Sequence, residues 1–106
     1  MRPLALLGLA GALAAAPLMG QGRLEARLDP QTVSALRPLL DAARRDSVPV
    51  AALEDKALEG AAKRVPGDRI VAAVRQLDAE LRAARAVLRA AAPRAPLPDA
   101  EVVAAA

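Results

Sequence analysis

The chain has 106 residues, and its 15 Lys and Arg outnumber its 12 Asp and Glu, which gives a formal net charge of +3 at pH 7. It contains no His, Cys, Phe, Trp or Tyr. This composition excludes catalysis centred on imidazole or thiol, the usual zinc and haem sites, disulfides and base-stacking surfaces. The basic residues are interspersed with acidic ones, so we expect no nucleic-acid partner. No motif predicts a metal site or another cofactor.

Residues 1–22 have the layout of a secretory signal peptide. Arg2 and the amino terminus are positive, and residues 4–16 are uncharged. Residues 17–22 supply a proline and then small residues, Gly20 and Gly22, at positions −3 and −1 of a cut after Gly22. We expect cleavage after Gly22, with Gly20 as the alternative position, and a periplasmic or secreted mature protein. The other interpretation of this segment is an uncleaved anchor or a buried helix. A chain without Cys has no lipoprotein cleavage motif.

Two helices are predicted in the first half of the remaining chain. In residues 23–28 charged and apolar residues alternate, and this short segment predicts neither a helix nor a strand. Asp29 followed by Pro30 predicts the start of a helix over about 30–45, which Pro38 should kink or restart. A second helix is predicted over about 49–63. In it Gly60 lies among alanines, where another helix can approach closely.

The second predicted helix also carries the carboxylates that could do acid–base chemistry, namely Glu54, Asp55 and Glu59. Nothing in the composition supplies an aromatic pocket that would raise one of their pKa values, so we interpret them as a solvated face. Ser47 and the two lysines lack the Ser-x-x-Lys spacing of a nucleophile pair. We therefore predict no catalytic residues and no enzymatic activity.

The third predicted helix, over about 66–92, has the strongest pattern in the chain. Its apolar residues recur by four and three, which is typical of a helix-packing seam; we call this candidate interaction surface the apolar seam: Ile70, Val74, Leu77, Leu81 and Leu88. The preceding helices are each about half as long. We therefore expect the Leu81–Leu88 end to lack cover, and the protein to self-associate, bind a helical partner or remain partly unfolded.

Four arginines follow the same helix as a basic ridge: Arg75, Arg82, Arg85 and Arg89. They are candidates for contact with anionic phospholipid, glycan or an acidic partner. The alternative is an ordinary solvated face in which Asp78 pairs with Arg82 at i,i+4.

Residues 93–98 form a proline-rich linker, and residues 99–106 resemble the start of a further helix. This helix has no polar terminator, which favours a piece of a longer protein over a frayed stub. The expected fold class is all-α: a small helical bundle or hairpin over 23–92 with one long third helix, preceded by the signal-peptide helix.

Residues 56–74, which read KALEGAAKRVPGDRIVAAV, resemble a stretch of uncharacterised exported Ala/Arg-rich helical proteins of high-GC bacteria, and residues 28–90 do so more loosely. The resemblance implies further helical sequence after residue 106 and carries no assigned activity. The sequence thus favours a non-enzymatic exported interaction or structural protein. The alternative is a peripheral binder of an anionic membrane or envelope surface.

Overall fold

The computed structural model describes residues 19–106, with side chains from residue 22 onward, and this part of the chain is all-α without strands. The helices are α1 (Met19–Arg27), α2 (Pro30–Arg45), α3 (Val50–Ala62), α4 (Gly67–Ala91) and α5 (Asp99–Ala105). The expected all-α bundle with one long helix is confirmed, and the bounds of α2 to α5 lie within one residue of those expected. Most of the expected signal peptide, residues 1–18, lies outside the described residues.

The start of α2 is fixed by its first polar residues. Asp29 is the N-cap, and its carboxylate accepts hydrogen bonds from the backbone N–H of Thr32 at 3.1 Å and from the Thr32 hydroxyl at 2.6 Å. These two bonds lower the pKa of Asp29. The helix continues without interruption through Pro38, so the expected restart does not occur. Pro38 is exposed, while Leu36 and Leu40 on either side are buried and hold both halves against the core.

Two similar turns connect α2 to α3 and α3 to α4. In each, the residue after the C-cap is left-handed, Ser47 at φ 59° and Arg64 at φ 57°. The next N–H, of Val48 or Val65, then bonds to a carbonyl five residues earlier, at 2.8 and 2.9 Å. Such bonds satisfy carbonyls at a helix end, and a proline follows each valine. The repeated Val-Pro pair therefore ends one helix as well as starting the next.

The three central helices pack as a bundle in which α2 and α4 are parallel. Gly67 at the start of α4 lies against Thr32 at the start of α2, and Arg82 farther along α4 reaches Asp46 at the end of α2. The short turns make α3 antiparallel to both. A β-carbon on Gly60 would lie 2.8 Å from Cγ1 of Ile70, so the expected close approach of a helix at Gly60 is confirmed.

The apolar seam lies mainly inside the molecule. Ile70, Val74 and Leu81 are at most 3% exposed, whereas Leu77 and Leu88 are partly buried against the core. The expectation that the Leu81–Leu88 end lacks cover is therefore wrong. The chain turns back after α4, and α5 packs on that helix with Val102 fully buried.

Helix α1, which was not predicted, packs against α2 and α3. Leu24 is buried, Arg23 pairs with Asp55 at 3.3 Å, and Glu25 lies 4.0 Å from Arg37. The helix crosses the expected cleavage position after Gly22, and residues 23–27 belong to the packed part of the protein. Within residues 19–106, no helix has both the length and the apolar character needed to cross a membrane.

Candidate functional site

The four arginines of the basic ridge have different surroundings. Arg82 donates from Nη1 to Asp46 at 2.7 Å and from Nε to Asp78 at 3.0 Å. The hydrogen bonds to Asp46 and Asp78 raise the pKa of Arg82. The predicted Asp78–Arg82 pair is thus present, and Arg82 also ties α4 to the end of α2. Its charge is largely compensated by two carboxylates, so it serves packing more than ligand binding.

Asp46 lies in a basic environment at the end of α2. The hydrogen bond from Arg82, with the positive charges of Arg82, Arg45 and Arg85, holds the pKa of Asp46 below its ordinary value. On the other side of Arg82, the Oδ1 atom of Asp78 is buried and has no hydrogen-bond partner within residues 22–106. Sequence reasoning missed Asp46 because its contact depends on the parallel packing of α2 and α4.

Arg89 holds the linker that follows α4. Its Nη1 donates to the carbonyl oxygen of Pro93 at 2.9 Å and to that of Ala95 at 2.8 Å. These bonds keep the proline-rich segment bent back toward the bundle. These bonds could have been predicted from the position of Arg89 in the last turn of the helix, because Lys and Arg side chains at that position often bond to nearby carbonyls.

Three arginines from two helices line one open cleft between the α2–α3 turn and the second half of α4. The cleft has a volume of about 460 Å³. Its walls come from the end of α2, the α2–α3 turn, the start of α3, the second half of α4, the linker and the first residue of α5: Arg44, Ser47, Val48, Val50, Ala51, Arg85, Arg89, Leu97 and Asp99. We call this cleft, which is lined by the three arginines Arg44, Arg85 and Arg89, the basic cleft. Arg44 was not among the predicted contacts, because it comes from α2.

The charges of the basic cleft are only partly compensated. Arg44 pairs with Asp41 at 3.2 Å on the protein surface. Arg89 bonds to neutral carbonyls, which leave its positive charge in place. Within the described residues Arg85 has no side-chain hydrogen bond or ion pair, and Asp99 is the one acidic residue in the cleft wall. Chemically, this arrangement suits a phosphate or carboxylate group that several guanidinium groups contact together.

Arg75 lies apart from the other ridge residues. It lines a different cleft, of about 480 Å³, at the starts of α2 and α4, where Asp29 and Asp68 are also present. Ten residues of helix separate it from Arg85, which is about 15 Å along the axis. The structure therefore brings Arg85 and Arg89 together, uses Arg82 as a helix link, and places Arg75 in an acidic neighbourhood.

The carboxylates of α3 do not form a pair suited to acid–base chemistry. Asp55 is engaged by Arg23, and Glu59 pairs with Lys56 at 3.3 Å. Both are more than half exposed. Within the described residues, no group of three or more acidic side chains could hold a metal ion. Comparisons with protein-family models, with curated proteins and with solved structures find no match to this chain.

Proposed function

We propose that the protein is an exported, non-enzymatic interaction protein that binds an anionic phospholipid surface through the basic cleft. The observation that carries this proposal is the convergence of Arg44, Arg85 and Arg89 from two helices on one open cleft. Guanidinium groups bind phosphate through several N–H donors at once, which a scattered set of surface charges cannot do.

The surroundings of the cleft favour a surface over a small enclosed ligand. The cleft opens widely to solvent, and its apolar wall residues, such as Val50 and Leu97, are only partly exposed. A cleft of this kind can contact lipid headgroups without inserting large apolar side chains into the bilayer. Juxtamembrane arginine is attracted to an anionic bilayer by about 1 kcal/mol per residue.

Export is the second element of the proposal, and it rests on the charged, apolar and small-residue layout of residues 1–22. It places the cleft next to an envelope membrane. Intact-mass analysis of protein from the host envelope should show loss of the residues up to Gly22. Full-length protein in the cytosol would contradict export.

Binding is tested by co-sedimentation with vesicles of phosphatidylcholine, with and without phosphatidylglycerol. The parent should bind only the anionic vesicles. The double variant Arg44→Gln/Arg85→Gln should bind about 25-fold more weakly, since each arginine contributes about 1 kcal/mol.

The matched control is Arg64→Gln/Arg75→Gln, which removes the same charge at the other end of the bundle. It should keep most of the parent affinity. Equal losses in the two double variants would show that only net charge matters and would reject the cleft. Absence of any preference of the parent for anionic vesicles would reject membrane binding itself.

A further inference from the structure

The basic cleft contains one carboxylate that pairs with none of its arginines. Asp99 lies in the cleft wall together with Arg44, Arg85 and Arg89. Within residues 22–106, the Asp99 side chain makes no hydrogen bond and no ion pair, although three guanidinium groups line the same cleft. The open space of about 460 Å³ is thus lined by several strong donors and by one available acceptor.

The position of Asp99 is fixed by the packing of the segments around it. Three residues later, Val102 is 1% exposed and holds α5 on α4. On the other side, the linker is bent by a hydrogen bond from the N–H of Ala95 to the carbonyl of Ala92, at 3.2 Å, and by the two bonds from Arg89. Asp99 is therefore a constant part of the cleft wall, and its residue is exposed to solvent.

Two of the arginines keep donors that a ligand can use. Arg85 is half-buried, and within the described residues no group accepts a hydrogen bond from its guanidinium. Arg89 uses Nη1 for the linker carbonyls, while its Nε and Nη2 make no hydrogen bond within residues 22–106. A partly desolvated guanidinium gains from an anionic partner, and phosphate oxygens match the geometry of its donors.

The carboxylate of Asp99 restricts which phosphate group suits the cleft. It repels the second negative charge of a phosphomonoester. It can accept a hydrogen bond from a hydroxyl group that lies beside a phosphodiester. An ammonium group beside the phosphate would also reach Asp99, but the three arginines would repel its positive charge. A hydroxyl group brings no charge and so satisfies both sides of the cleft.

We propose that the basic cleft recognises a phosphodiester headgroup that carries hydroxyl groups, as in phosphatidylglycerol. Arg85 and Arg89 bind the phosphate, and Asp99 accepts a hydrogen bond from a headgroup hydroxyl. This inference rests on the proposed membrane binding and adds selectivity among anionic phospholipids. Asp99 is then the residue that determines specificity, because it disfavours phosphate groups that have no hydroxyl neighbour.

Co-sedimentation with two kinds of vesicle tests this selectivity. Both contain phosphatidylcholine, with either phosphatidylglycerol or phosphatidic acid added until the surface potentials are equal. The parent should bind the phosphatidylglycerol vesicles about fivefold more tightly, which is the effect of one solvent-exposed hydrogen bond. Asp99→Asn should lose most of this difference, because it binds phosphatidic acid more tightly than the parent does.

The matched control is Glu101→Gln, which removes the same charge from the same helix. Glu101 is exposed and lies outside the cleft wall, so this variant should keep the selectivity of the parent. Circular dichroism should show equal helicity in all three proteins. Equal changes of selectivity in Asp99→Asn and Glu101→Gln would show that only net charge matters and would overturn the role of Asp99.

The same measurements separate this inference from the proposed membrane binding. A parent that prefers both anionic vesicles over pure phosphatidylcholine, but binds the two equally, overturns the headgroup selectivity alone. A parent without any preference for anionic vesicles overturns both proposals. Soluble glycerophosphoglycerol, which has the headgroup without acyl chains, should bind more weakly than the vesicles. Tighter binding of this compound would identify a free polyol phosphate as the ligand and overturn the assignment to a lipid.

Discussion

Nη1 of Arg82 lies 2.7 Å from Oδ2 of Asp46, and this contact fixes how far α4 lies along α2. The two residues are 36 positions apart in the chain. Their side chains are 37% and 52% exposed, so solvent screens the pair and limits its contribution to stability. Its main effect is to favour one alignment of two parallel helices whose apolar faces could otherwise slide.

The first prediction concerns the pH dependence of this contact. Asp46 has a pKa lowered by the hydrogen bond from Arg82. A lowered pKa in the folded state stabilises the protein above the unfolded value, about 3.9, and this contribution is lost as the pH falls through the folded value. Asp46→Asn should therefore unfold more easily than the parent at neutral pH, with the difference disappearing in acid.

Urea unfolding at a series of pH values measures this difference. In an Arg82→Gln background, Asp46→Asn should have a much smaller effect, because the hydrogen bond that lowers the pKa is already absent. A difference between parent and Asp46→Asn that stays constant from neutral to acidic pH would contradict the prediction.

The second prediction concerns Gly67, which lies directly against Thr32. A β-carbon at Gly67 would overlap the Thr32 hydroxyl, and that hydroxyl is held by its 2.6 Å bond to Asp29. Gly67→Ala should therefore destabilise the protein by about 1–3 kcal/mol, although alanine is the better helix former.

A double-mutant cycle with Thr32→Ala checks the cause. Thr32→Ala alone should be destabilising because the bond from the Thr32 hydroxyl to Asp29 is lost. In that background, Gly67→Ala should destabilise the protein much less than it does in the parent. If Gly67→Ala costs the same with and without Thr32, steric overlap is not the reason.

The third prediction concerns the left-handed residue after α3. Arg64 has φ 57°, a conformation that costs a non-glycine residue about 1–2 kcal/mol. Glycine avoids this cost but loses about 0.5–1 kcal/mol of backbone entropy on folding. Arg64→Gly should therefore stabilise the protein by about 0.5–1 kcal/mol. Ser47→Gly, at φ 59°, should act in the same direction.

Thermal and urea unfolding measure both variants. The control is Arg75→Gly, an exposed arginine in the interior of α4 that has ordinary helical geometry. It should lose stability by about 1 kcal/mol. Loss of stability in Arg64→Gly would show that the left-handed conformation of Arg64 does not cost the expected free energy.

Local sequence signals predicted much of the bundle. Asp29 and Pro30 marked the start of α2, and Asp78 with Arg82 was predicted from i,i+4 spacing alone. These features depend on residues within one helical turn. The close contact at Gly60 could also be predicted from the sequence, because a small residue on an apolar helix face has few other structural roles.

The features that sequence reasoning missed depend on packing between distant segments. The sequence of helix α1 has only a weak helical pattern. The helix is held in place because Leu24 is buried where α1 packs against α2 and α3. The return of α5 could not be read from residues 99–106, since one buried valine gives no periodic signal. The basic cleft joins Arg44 of α2 to Arg85 and Arg89 of α4, and only the parallel arrangement of these helices places them together.

The matching turns after Ser47 and Arg64 also bear on how the chain folds. Each reverses the chain within a few residues, so α2 meets α3, and α3 meets α4, through contacts close in sequence. Small helical proteins dominated by such contacts fold within microseconds to milliseconds, because little loop-closure entropy is lost before packing begins. We expect a fast phase that assembles α2, α3 and α4. Val102 can then pack on a surface of α4 that is already formed.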